Sequence, residues 1–361
     1  MKVLNNFIII ILLFLNVSCG QVSYITEQSI GQLKIQWKGM SPEEAKKSGK
    51  MTASQEQKLK LVLKAKDFFY KYMSIEMGSI YSEVVFLDQE AVTYLVVASP
   101  YDKVEALKVS VPFLGSFPYL GFFKYNSAKD YASKLDKQSY FTHLRPVYAY
   151  STLGHFEDKI LSSFFYLSDL DLVETIYHEL FHTIFFVKNE VDFNENLATY
   201  FAKKMMLVSP FLSAKDVEDK LLRDEKQDAV TQRFVELAKE YAALVLVQKP
   251  KNKIEAQKNL DQFILDVLNP EIYKICGMKS LSGKDCPFFA RKWNHAALAA
   301  ILTYEQDQFF WDQWWRSLHD RGQPANPKVL YQFLSKNLAN YQDSDENVKS
   351  FEEYLKKKIL K

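Results

Sequence analysis

Residues 176–186 read "IYHELFHTIFF". The stretch is almost wholly apolar, yet it holds two histidines four residues apart and a glutamate beside the first. Leu172, Val173, Ile176, Leu180, Phe181, Ile184 and Phe185 recur with a helical period around it. Ser168 followed by Asp171 gives a capping-type start just upstream. The spacing therefore predicts a buried helix. In such a helix positions i and i+4 share one face, so His178 and His182 point the same way.

Two imidazoles on one helix face can bind one zinc ion, each at about 2.0–2.1 Å. Glu179 flanks the same face, where its carboxylate would sit beside the open position and not on the metal. The pattern is H-E-x-x-H, a metal-hydrolase signature with Glu179 as general base. The bland alternative is a pair of core histidines. Against it stands the cost of burying a carboxylate unpaired, several kcal/mol, which a dication would offset.

A catalytic zinc needs a third protein ligand and one vacant corner. Thirteen residues beyond His182 the chain reads "DFNENLATYF" (192–201). Phe193, Leu197 and Phe201 recur every four residues, which predicts a second helix. "VKNEVD" between the two has loop character, so the helices should run antiparallel with Glu195 facing the histidines. The segment resembles the N-E-x-x-A element that supplies a glutamate ligand in zincins of the glutamate class. Asp192 and Glu190 are the alternative third ligands. Asn194 is expected to orient a ligating histidine through its free ring nitrogen.

Outward from this pair, the chain of 361 residues is 48% hydrophobic and 25% charged, a globular balance. Residues 24–35 and 54–78 read as helices. "VTYLVVAS" (92–99), "LKVSVPF" (107–113) and "YLGFF" (119–123) read as strands, 127–138 as a short helix, and "THLRPVYAYS" (142–151) as extended. Ser213 with Asp216 starts a long helix reaching about 247, and two or three more helices fill 252–358. The fold class is α+β: a small antiparallel β section (82–151) followed by a mainly helical body (168–361), with the metal site on two antiparallel helices. Residues 20–361 form one domain, with no separating linker in the sequence. A net charge of +2 offers no electrostatic case for nucleic acid.

Lys2 precedes an apolar run, Phe7 to Leu15, of signal-peptide length, and Cys19 follows it closely. Residues 1–19 are read as a signal peptide with a lipobox-like Cys19, the expected lipidation site. Asn16 stands where such signals carry leucine, so ordinary secretion and an uncleaved anchor stay open. Each reading exports the chain, and lipidation would place it on the periplasmic side of a bacterial envelope membrane. In an oxidising compartment Cys276 and Cys286, ten apart across a Gly- and Ser-bearing segment, are expected to form a disulfide.

Together these segments resemble a family of exported bacterial aminopeptidases. The matched residues are Gly31-Gln32-Leu33, the "VASPYDK" of 97–103, Pro112 to Phe123, and Arg145 to Gly154. They continue with His178 to His182, Phe193 to Thr199, and Asn294 to Tyr304. The resemblance spans most of the chain. It implies one zinc ion held by His178, His182 and Glu195, Glu179 as base, a zincin-like body and peptide substrates.

A tetrahedral oxyanion needs a second electrophile besides the metal. Tyr150 leads the candidates in "RPVYAYSTLGH", with Tyr148, His155 and Arg145 behind it. The residues themselves do not separate an aminopeptidase from an endopeptidase of the envelope. A catalytically inactive, lipid-anchored interaction protein is the reading from another class.

Overall fold

Ser168 begins its helix as the sequence foretells: its hydroxyl accepts the Asp171 N–H at 3.2 Å. Ser213 does the same for Asp216 at 3.3 Å. Ser41 with Glu44 and Thr52 with Gln55 close two full capping boxes. The computed structural model describes residues 19–111, 115–148, 157–279, 286, 292–303, 311, 314–315, 325–342 and 348–359.

In chain order the elements begin with helices α1 (Cys19–Trp37), α2 (Pro42–Lys47) and α3 (Ala53–Met73). Strands β1 (Val84–Val85), β2 (Thr93–Ser99), β3 (Val109–Val111), β4 (Gly115–Phe117) and β5 (Leu120–Phe122) follow. Then come α4 (Tyr125–Lys137), β6 (Phe141–Val147) and β7 (Ile160–Leu161). The remainder is helical: α5 (Asp169–Ile184), α6 (Val191–Leu207), α7 (Ala214–Gln248), α8 (Lys253–Phe263), α9 (Asn269–Met278), α10 (His295–Leu302), α11 (Pro327–Gln342) and α12 (Phe351–Ile359). The α+β class holds. Beyond residue 252 there are five described helices, more than the two or three expected. None of the described helices is long and apolar enough to cross a membrane.

The chain packs as two compact units, each assembled from three separate segments. One comprises Met1–Lys38, Ala91–Tyr148 and Val230–Thr303. The other comprises Gly39–Glu90, Ala149–Ala229 and Tyr304–Lys361. This division differs from a β part over 82–151 followed by a helical part over 168–361.

In the first unit β2 pairs antiparallel with β5 on one side and β6 on the other. Val96, Leu120, Phe122 and Ala128 of α4 form its core, with Tyr24 and Ile25 of α1 against them. Gly31 of α1 lies so close to Phe123 that a Cβ would fall 2.2 Å from the ring, which restricts the position to glycine. A second core joins Phe234, Leu237 and Tyr241 of α7 to Leu260, Ile272 and Leu298. Cys276 and Cys286 are bonded beside it, their Cα atoms 6.0 Å apart.

The second unit is helical around α5, which packs on α3 and α6. Phe181 stacks on Phe201 of α6 at 4.2 Å, and Phe69 of α3 meets both Tyr177 and Phe201. This aromatic seam is the buried face that the apolar positions of α5 predict. A short β element lies in this unit, and it departs from the antiparallel expectation: β1 pairs parallel with β7, Val84 opposite Ile160. Two-residue strands so far apart in sequence carry no alternation to read.

Candidate metal centre

His178 and His182 project from the last two turns of α5, and Glu195 from the second turn of α6. The chain between the helices is short and held by Asn194. Its Oδ1 accepts the Val187 N–H at 2.8 Å. Its Nδ2 donates to the Val187 and Glu190 carbonyls, both at 2.7 Å. With these bonds made, the amide is committed to the loop. Asn194 does not orient a histidine ring, and the expected role is corrected: it locks the turn that brings α6 back along α5.

The three side chains converge. His178 Nε2 lies 3.2 Å from Glu195 Oε2, and His182 Nε2 lies 3.4 Å from Glu195 Oε1. The two Nε2 atoms are 3.1 Å apart, with the rings nearly perpendicular at 82°. Donors about 2.1 Å from a tetrahedral centre are separated by about 3.4 Å, so these spacings match the edges of a tetrahedron. Two nitrogens and a carboxylate oxygen at those distances are also a borderline-soft donor set suited to zinc. Among the described residues this is the one group of three His, Cys, Asp or Glu side chains placed to hold a metal ion.

Exposure differs sharply within the set. The His182 side chain is 2% exposed and that of Glu195 is 49% exposed, so the cluster is closed at its base and open to solvent on the Glu195 side. An open corner is what a catalytic ion requires and a structural one lacks.

His178 is braced from behind: its Nδ1 lies 3.3 Å from the Thr199 hydroxyl. Thr199 stands one turn beyond Glu195 on α6. Its spacing of four from Glu195 was the signal available in the sequence. Glu190, an alternative third ligand, is used elsewhere. Its carboxylate accepts the Phe351 and Glu352 N–H groups at 2.6 and 3.1 Å and caps α12. Asp192 lies exposed in the first turn of α6.

Glu179 is buried, and its Oε2 has no hydrogen-bond partner among the described residues. Burial pushes its carboxyl upward. The two histidines act downward, and Glu195 and Asp158 add to the rise. Burial also works upward on Glu195, but hydrogen bonds from both imidazoles outweigh it and hold that carboxyl well below the usual range. Desolvation opposes the charged form of His178, and Glu195, Glu179 and Glu174 together overcome it and raise its pKa. An orphaned buried oxygen beside a nitrogen–carboxylate triangle is a site whose charges fit a dication.

Of the expected oxyanion partners, Tyr150 and His155 lie outside the described residues. Arg145 and Tyr148 belong to the first unit and the cluster to the second. Cys19 opens α1, but its side chain lies outside the described residues. Sequence reasoning missed Tyr81. It is fully buried, with a left-handed φ of 57°, and its N–H donates to the Asp158 carbonyl at 2.8 Å. Burial, then the charges of Glu179 and Asp158, push its hydroxyl pKa well up.

Residues 23–348 match the model of a protein family described as "Putative aminopeptidase". Neither a curated protein nor a solved structure matches the chain.

Proposed function

The chain belongs to that aminopeptidase family, and from this premise we propose that it is a zinc-dependent peptidase, an aminopeptidase, with Glu179 as general base. The observation that carries the reading is the triangle of His178, His182 and Glu195 donor atoms, open on one side, with Glu179 beside it. A zinc ion held there would supply a Lewis acid for the scissile carbonyl and a water acidified to a pKa near 7.

The protein's own groups do the rest. Thr199 holds the His178 ring from its Nδ1 side, which fixes Nε2 toward the cluster. Glu179 takes a proton from the attacking water and later delivers it to the leaving amine. A carboxyl whose pKa is raised by burial lies nearer the working range for both transfers than an exposed one. Asn194 keeps α6 in register so that Glu195 stays opposite the rings.

The same proposal sets the enzyme in the bacterial envelope, lipid-anchored at Cys19. Its support is the sequence of residues 1–19 and a disulfide of the kind oxidising compartments sustain.

Digestion of a peptide library tests the activity. Cleavage should stop on chelation and return with zinc, and it should release single residues from free amino termini. Cleavage indifferent to chelation would remove zinc from the mechanism. Equal cleavage of N-blocked peptides would make the enzyme an endopeptidase. Zinc binding with no cleavage of any peptide would leave an inactive scaffold.

A further inference from the structure

A cavity of about 540 Å³ lies within the second unit, lined in part by Tyr70, Ile80, Thr183, Ile184 and Tyr331. The volume is in the range of small-molecule sites. Three carboxylates, Glu76, Glu157 and Asp158, also line it, and none of its described lining residues is Lys or Arg. The nearby cations are engaged outside it. Lys159 lies 2.5 Å from Glu83 and only 3.6 Å from Glu157, and Lys66 donates to the Ser82 hydroxyl at 3.0 Å.

The cavity adjoins the candidate site along α5. Thr183 follows His182 directly and stands four residues, one helical turn or about 6 Å, beyond Glu179 on the same face. Asp158 is buried and close enough for its charge to act on Glu179, whose Oε2 has no partner among the described residues. Gly78 makes room at the wall: a Cβ there would fall 2.8 Å from the Tyr70 hydroxyl. In a peptide the α-nitrogen is about 2.5 Å from the carbonyl carbon of its own residue. A first residue whose carbonyl lies at Glu179 therefore carries its amine toward this cavity.

We infer that this cavity seats the free ammonium group of the peptide's first residue, with Asp158 and Glu157 as its principal counter-charges and Glu76 at the rim. The inference rests on the peptidase reading and adds the residues that would make it an exopeptidase. A closed acidic end leaves no path for further chain on the amino side. The α-ammonium there would offset negative charge that water alone now solvates.

Isothermal titration of the full-length protein with leucinamide, N-acetyl-leucinamide and N-acetyl-lysinamide tests it. Leucinamide should bind and N-acetyl-leucinamide should not. Asp158→Asn and Glu157→Gln should each weaken leucinamide at least about tenfold, the scale of one charge-assisted hydrogen bond. Should the buried Asp158 variant fail to fold, Glu157→Gln and Glu76→Gln, both at exposed positions, carry the test. Equal binding of the acetylated amide, or variants that leave leucinamide affinity unchanged, would overturn the inference. Tighter binding of N-acetyl-lysinamide than of leucinamide would also overturn it and make the cavity a side-chain pocket. Leucinamide binding in a protein that cuts no peptide would refute the peptidase reading alone. Cleavage that ignores N-acetylation would refute the amine seat alone.

Discussion

The Thr199 hydroxyl lies 3.3 Å from Nδ1 of His178, on the ring edge opposite the nitrogen that faces Glu195. One turn of α6 thus supplies both the carboxylate in front of the imidazole and the brace behind it. Thr199→Val keeps the shape and removes the hydroxyl. Zinc affinity should fall about ten- to hundredfold, the usual effect of losing an outer hydrogen bond to a ligating ring. Competition with a chromophoric chelator reads this directly, and circular dichroism should show an unchanged helix content.

Glu179→Gln separates the base from the ligands. The amide fills the same space and cannot take a proton from water. Peptide turnover should drop about a hundred- to ten-thousandfold while bound zinc per chain stays at the wild-type value. A matching loss of zinc would move Glu179 into the ligand set.

Asn194→Ala tests the turn. The substitution leaves the Val187 N–H and carbonyl without their partners in a buried setting. Stability should fall by about 2–3 kcal/mol, seen as a lower denaturant midpoint at unchanged slope. Zinc affinity should weaken as a consequence, because the register of α6 sets the position of Glu195.

His295 should give the first unit a pH dependence. It is fully buried, with Nε2 3.1 Å from the Tyr241 hydroxyl and Nδ1 3.2 Å from the Lys103 carbonyl. Burial holds its pKa below the ordinary 6.5. Above 6.5 both folded and unfolded forms are neutral there. As pH falls below 6.5 the unfolded chain takes up a proton that the folded one refuses, so stability declines until the folded pKa is passed. Melting curves from pH 7.5 to 4.5 should show that decline, and His295→Gln should flatten its part of it.

Much of this arrangement was legible before any coordinates. The period of Leu172, Ile176, Leu180 and Ile184 fixed the face that α5 buries, and the spacing of four between the histidines fixed which way they point. Glu195 followed from Phe193, Leu197 and Phe201, because the face a helix buries sets where its polar positions project. Asn194 was misread for a physical reason. An amide beside a ring and an amide inside a turn call for the same residue, and the choice depends on Val187, seven residues away. Glu190 was equally opaque as a cap, since its partners Phe351 and Glu352 lie about 160 positions downstream. The parallel pairing of Val84 with Ile160 and the two interleaved units share that origin. Contacts between remote segments leave no local period, and units built from three segments each have no linker to announce them.

An anomalous difference map collected at the zinc edge, on crystals of the full-length protein grown without added metal, tests the central claim most directly. The account predicts one peak per chain, 2.0–2.2 Å from His178 Nε2, His182 Nε2 and a Glu195 oxygen, with the fourth corner held by solvent. No peak among these three side chains, or a fourth protein side chain closing that corner, would contradict it.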